Sequence, residues 1–216
     1  MQTFVDKYPE LFSQCEAVYD KLVHNGFPQK EEISFDLILP FLLPIPEKTI
    51  QHKIAYELVI YREIIDDYNK GNYSKLWEDL FSRSAGYYPI SIQDYSYFNQ
   101  KREIIDNNII KSYECSVDRV FYRFSVLLNY RNHIANDFNT IMCDVKKASA
   151  FLLFDDDMCD LEEDIERGKK TILVSFLEFH KNIIIEDMIN MFEDYMKSIK
   201  IEKLYKFIRP ILNIYK

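Results

Sequence analysis

The chain has 216 residues, 48% of them hydrophobic, and a formal net charge of −8. That length suits one domain of roughly 100–200 residues, and the acidic balance argues against an electrostatic grip on a nucleic-acid backbone. Cys15, Cys115, Cys143 and Cys159 form no CxxC pair and the four histidines are scattered, so disulfide scaffolds and His/Cys zinc sites lack support and any metal must be held by oxygen.

No basic segment followed by an apolar one opens the chain, so a signal peptide is not expected. Helices are predicted over much of 3–24 and 29–43, the second disturbed at Pro40. The most apolar stretch, 35–46, is broken by Pro40, Pro44 and Pro46 and falls well short of the ~20 apolar residues of a membrane span. A soluble, cytoplasmic protein is the expectation. Residues 46–71 read as a helix with Pro46 at its start and Gly71 as its stop, and shorter elements fill 74–83.

From Ile90 to Arg209 there is no proline and one glycine, Gly168. Interior proline costs a helix ~3 kcal/mol and glycine ~1 kcal/mol, so this tract predicts long helices. One or more cover about 92–130, another runs over about 133–167, and two or three finish the chain. No alternating strand pattern or hairpin signal competes. The expected fold is all-α, a single helical-bundle domain over 1–216. Tyr and Phe, 16 of each, imply either an aromatic core or an aromatic-lined cavity.

The segment "FDDDMCDLEEDIERGKK" (154–170) places eight carboxylates in the twelve positions from Asp155 to Glu166, then turns basic at Arg167, Lys169 and Lys170. At about 100° per residue on a helix, Asp156, Asp157, Asp160, Glu163 and Asp164 share one side. Phe151, Phe154, Met158, Leu161 and Ile165 line the other. A solvated acidic face is the plain explanation. Against it, Asp160, Glu163 and Asp164 would crowd a helix C-terminus, where negative charge is disfavoured by about 0.3–1 kcal/mol each, and like charges at i,i+4 repel. Divalent cations would reverse both penalties. An upstream echo, "YREIIDDYNKG" (61–71), puts Glu63, Asp66 and Asp67 on one helix face. Asn136, Thr140 and Asp144 mimic another metal-binding triad, but on a continuous helix they lie opposite the acidic face.

These residues resemble the class I isoprenoid synthases, all-α enzymes that bind an allylic diphosphate through Mg²⁺ held by two aspartate-rich helices. "DDMCDLEEDIERGKKTIL" (156–173) looks like their second motif: Asp156, Asp157 and Asp160 match its DDxxD form, and Asp160 and Asp164 its DxxxD form with Gly168 and a basic residue following. Glu63, Asp66 and Asp67 resemble the first motif, with Glu63 at the leading aspartate.

The resemblance implies two or three Mg²⁺ ions bound with the substrate diphosphate by Glu63, Asp66, Asp67, Asp156, Asp157, Asp160 and Asp164. Arg167, Lys169 and Lys170 would contact the diphosphate, and no catalytic residue beyond the metal ligands is implied. The expected activity is prenyl transfer ahead of cyclisation, on a prenyl diphosphate, without nucleic acid or a transmembrane segment; a homodimer is a candidate assembly. A second reading of the same residues is a non-catalytic helical interaction protein whose acidic faces meet a basic partner.

Overall fold

The computed structural model describes residues 8–27, 34–69, 108–119, 122–134 and 138–215, with the side chains at 63–69, 118, 119, 122 and 125 excepted. In chain order the helices are α1 (Pro9–His24), α2 (Phe35–Leu42), α3 (Lys48–Asn69), α4 (Ile109–Arg119), α5 (Tyr122–Asn129), α6 (Phe138–Cys159), α7 (Leu161–Glu166), α8 (Ile172–Phe179), α9 (Ile185–Met196) and α10 (Glu202–Leu212). Short 3-10 turns follow α5 and α10, and there is no strand among the described residues. The all-α expectation holds for them, and none of these helices is long and apolar enough to cross a membrane. The elements predicted over 74–83 and from about 92 to 107, and the stop at Gly71, lie outside the described residues.

The chain divides into two compact units, one of residues 1–96 with 122–138 and one of 97–121 with 139–216. In the first, Pro9 opens α1 at a position where its missing N–H costs nothing. Gly26, at φ +95°, turns the chain after it. The predicted disturbance at Pro40 does not stop α2, which runs on to Leu42. Every residue of α2 from Asp36 to Leu42 is buried, so packing offsets the one lost hydrogen bond.

Burying Asp36 requires a partner, and Arg123 on α5 supplies it through Nε at 2.6 Å and Nη2 at 3.3 Å. Glu57 on α3 is buried against the Tyr130 hydroxyl, which donates to its Oε1. Burial pushes the Glu57 carboxyl up to about 7, although the Tyr130 hydrogen bond and Lys53 pull the other way.

The second unit contains α4 and α6–α10. Its centre is aromatic: Tyr113 of α4, Phe151 and Phe154 of α6 and Phe192 of α9 are all almost fully buried. Phe154 and Phe192 stack with ring centroids 4.3 Å apart, and Tyr113 meets them edge-on at 5.8 and 5.7 Å. Each such pair adds about 0.5–1.5 kcal/mol beyond its buried area. Of the two roles open to the aromatic residues, these four take the core.

Candidate functional site

The helix predicted over about 133–167 is interrupted. α6 ends at Cys159, Asp160 stands at the N-cap position of a new helix without a side-chain capping bond, and α7 carries Glu162, Glu163 and Asp164 in its first turn. The argument from an unfavourable C-terminal dipole therefore holds for Asp155, Asp156 and Asp157 in the last turns of α6. Asp160 and Glu163 stand at a helix start, where negative charge is favoured, whereas Asp164 lies in both the first and the last turn of this six-residue helix.

The inward face also departs from the predicted apolar stripe. Phe151 and Phe154 are buried as expected, but Ile165 is 56% exposed and Asp164 is 3% exposed. An offset of one residue is about 100° of helix rotation, enough to exchange these two side chains.

Tertiary partners make the buried acids tenable. Tyr113 donates its hydroxyl to Asp157 Oδ2 at 2.7 Å. Lys169 donates to Asp164 Oδ1 at 2.8 Å, while Asp164 Oδ2 is buried with no hydrogen-bond partner. Tyr215, beyond α10, donates to Asp155, whose carboxyl burial pushes up in pKa. Asp156 and Asp160 are exposed.

The basic tail has a local structural cause. Gly168 adopts φ +64°, its N–H reaches Ile165 O at 3.1 Å, and the Lys169 N–H reaches Asp164 O at 2.8 Å. This is a Schellman stop, which favours glycine at the left-handed position. It places Lys169 beside Asp164, where the hydrogen bond raises the pKa of the ammonium and the charges of Asp164, Asp160 and Asp157 add to that rise against desolvation. Arg167 pairs with Glu163, and Lys170 lies 3.6 Å from Glu178. All three cations expected at a diphosphate thus have carboxylate partners.

A cleft of about 300 Å³ opens beside this turn, lined by Ile165, Gly168, Lys169, Lys170, Val174, Leu177 and Glu178. Sequence reasoning missed the α8 side of it; the only signal was the spacing of Val174, Leu177 and Glu178 on one helical face.

Among the described residues, no three His, Cys, Asp or Glu side chains converge as a metal-holding group. The acids that a metal would gather are instead drawn to separate donors, Asp157 to Tyr113 and Asp164 to Lys169. Glu63, Asp66 and Asp67 fall on α3, in the other unit, and their side chains lie outside the described residues. Asn136 also lies outside them. Asp144 is buried and accepts the backbone N–H groups of Lys200 and Ile201, both at 2.8 Å, at the start of α10. Its role there is to satisfy the N–H of the N-cap residue Ile201 and of Lys200 just before it.

Comparisons with known protein families, curated proteins and solved structures found no match.

Proposed function

We propose that the chain is a Mg²⁺-dependent enzyme of the class I isoprenoid synthase type, acting on an allylic prenyl diphosphate with prenyl transfer ahead of cyclisation. The observation that carries this reading is Asp164, a buried carboxylate with an unpartnered oxygen, whose partner Lys169 lines a cleft together with Lys170 and three aliphatic residues. A buried polar atom without a partner costs roughly 1–3 kcal/mol, and more when charged. Hard divalent cations are natural partners for such an oxygen.

Asp156, Asp157, Asp160 and Asp164 offer only oxygen donors, the kind Mg²⁺ takes, but they do not converge, with Asp157 and Asp164 drawn to separate donors, so as ligands they enter this reading on the resemblance. Bound there, Mg²⁺ would supply charge neutralisation for a departing diphosphate. Lys169 and Lys170 would hold phosphate oxygens, with Arg167 adding positive charge nearby. Ile165, Val174 and Leu177 would exclude water from the first carbons of the prenyl chain. Glu63, Asp66 and Asp67 enter this reading on the resemblance alone.

Calorimetric titration with geranyl or farnesyl diphosphate, with and without Mg²⁺, tests the proposal. Mg²⁺-dependent binding is expected, and with added isopentenyl diphosphate, diphosphate release. Neither binding nor release under any of these conditions overturns it.

One observation favours the second reading, an acidic surface for a basic partner. Asp156, Asp160, Glu162, Glu163 and Glu166 are all exposed. That reading expects capture of a lysine-rich peptide that weakens steeply with salt and does not respond to Mg²⁺.

A further inference from the structure

Lys48, His52 and Tyr56 follow at four-residue steps on α3 and so share one ridge of the helix. Lys21 of α1 holds its Nζ 5.1 Å from the centre of the Tyr56 ring, and Phe41 of α2 meets the His52 ring edge-on at 5.5 Å. Three helices of the first unit therefore meet around one imidazole. Lys21 and Lys48 are exposed, while His52 is half-buried and its Nε2 is buried with no hydrogen-bond partner. Burial lowers the pKa of the ring, and the positive charges of Lys48 and Lys21 lower it further.

No acid offsets these charges. Among the described residues neither lysine forms an ion pair, and Glu47, beside Lys48 in the chain, lies 3.4 Å from His133. α3 carries no acid in its first turn, where the helix dipole favours an anion and disfavours the charge of Lys48. The buried Nε2 adds the cost of a polar atom without a partner. The chain has 35 acidic residues against 27 lysines and arginines, so a base cluster that recruits none of them is open to an anion from outside.

We propose that Lys21, Lys48 and His52 form a metal-free site for a phosphate group, with two ammonium groups and the imidazole Nε2–H donating to its oxygens. Charge-assisted hydrogen bonds of this kind are the strong ones. The half-exposed ring turns toward the ligand. Its nitrogens have no hydrogen bond among the described residues, so the turn breaks none. A bound dianion also outweighs the two lysines and makes imidazolium the favoured form. The site shares no residue with the metal–diphosphate reading and needs no cation, so neither depends on the other.

The test titrates the full chain with inorganic phosphate in a calorimeter at low ionic strength, without divalent cations. The wild type should bind, and Lys21→Gln and Lys48→Gln should each bind about tenfold more weakly, the scale of one charge-assisted contact. Lys203→Gln, at an exposed lysine on α10, should bind as the wild type does. No binding by the wild type, or an equal loss in Lys203→Gln, overturns the site.

A measurement on the wild type alone needs no variant to fold. In nitrogen NMR of the histidine rings, phosphate should shift the His52 Nε2 signal toward that of imidazolium and leave His180, the other ring with a buried unpartnered Nε2, in place. An unmoved His52 signal, or an equal shift at His180, overturns the role of the imidazole. Vesicles of phosphatidylcholine with and without phosphatidic acid separate the two sources of a phosphate group. Sedimentation with the phosphatidic acid vesicles that inorganic phosphate reverses supports the site with a lipid headgroup as its ligand. Phosphate binding without sedimentation supports it with a soluble one.

Discussion

The Tyr113 hydroxyl donates to Asp157 Oδ2 across 2.7 Å, joining the aromatic core of the second unit to the acidic end of α6. The same ring meets Phe154 and Phe192 edge-on, so its orientation is set by packing before the hydrogen bond forms. Replacing Tyr113 with Phe keeps the packing and removes one donor from a buried carboxylate. The expected loss is about 1.5–3 kcal/mol, read as a lower urea midpoint at unchanged slope. A loss below ~0.5 kcal/mol would mean that Asp157 does not depend on this contact.

Glu57 predicts a pH dependence of opposite sign to that of an ordinary salt-bridged acid. Its folded carboxyl titrates near 7 against an ordinary value of 4.5, because burial disfavours the charge. Between those values the folded state binds more protons than the unfolded one, so stability falls as pH rises from 4.5 to 7 and levels off above. The contribution is on the order of 3 kcal/mol. Glu57→Gln still offers an acceptor to Tyr130 but cannot titrate. Denaturation measured from pH 4.5 to 8 should show the decline in the wild type and a flatter profile in the variant.

Asp144 separates a structural carboxylate from a metal ligand. Its two hydrogen bonds to the Lys200 and Ile201 N–H groups should make Asp144→Ala cost about 2–4 kcal/mol, as two orphan donors at a helix start lose a charged acceptor. Asp144→Asn, which keeps an acceptor oxygen, should recover part of that loss. Mn²⁺ affinity of the Asn variant should match that of the wild type, and a large drop would show that Asp144 is a ligand after all.

At Gly168 the cost of a side chain is conformational. A Cβ there would meet nothing within 4 Å, yet φ is +64°. Gly168→Ala should lose about 1 kcal/mol, and Gly168→Asn less, because Asn tolerates the left-handed region. Thermal denaturation of the pair checks this ordering.

The helical punctuation was legible in the chain because its signals are local. Gly168 ends α7 through backbone geometry that it carries with it, whereas the start of α1 at Pro9 went unread in a helix predicted over much of 3–24. The interruption at Asp160 left no such mark. Neither proline nor glycine stands between Phe138 and Glu166, so periodicity ran one helix through the break. The aromatic count likewise announced a large apolar resource without saying whether it would fill a core or line a cavity.

By itself, then, the sequence determined the helical class, the crowding of carboxylates over 155–166 and the glycine that turns the chain after them. Those properties depend on propensity, composition and local sterics. Which carboxylates leave water was decided by the tertiary structure alone. Asp157 is buried because Tyr113, 44 positions away, brings it a donor, and Asp164 because a turn folds Lys169 back upon it. A charge can enter a core only where a partner waits, and the partner's position is a property of the fold.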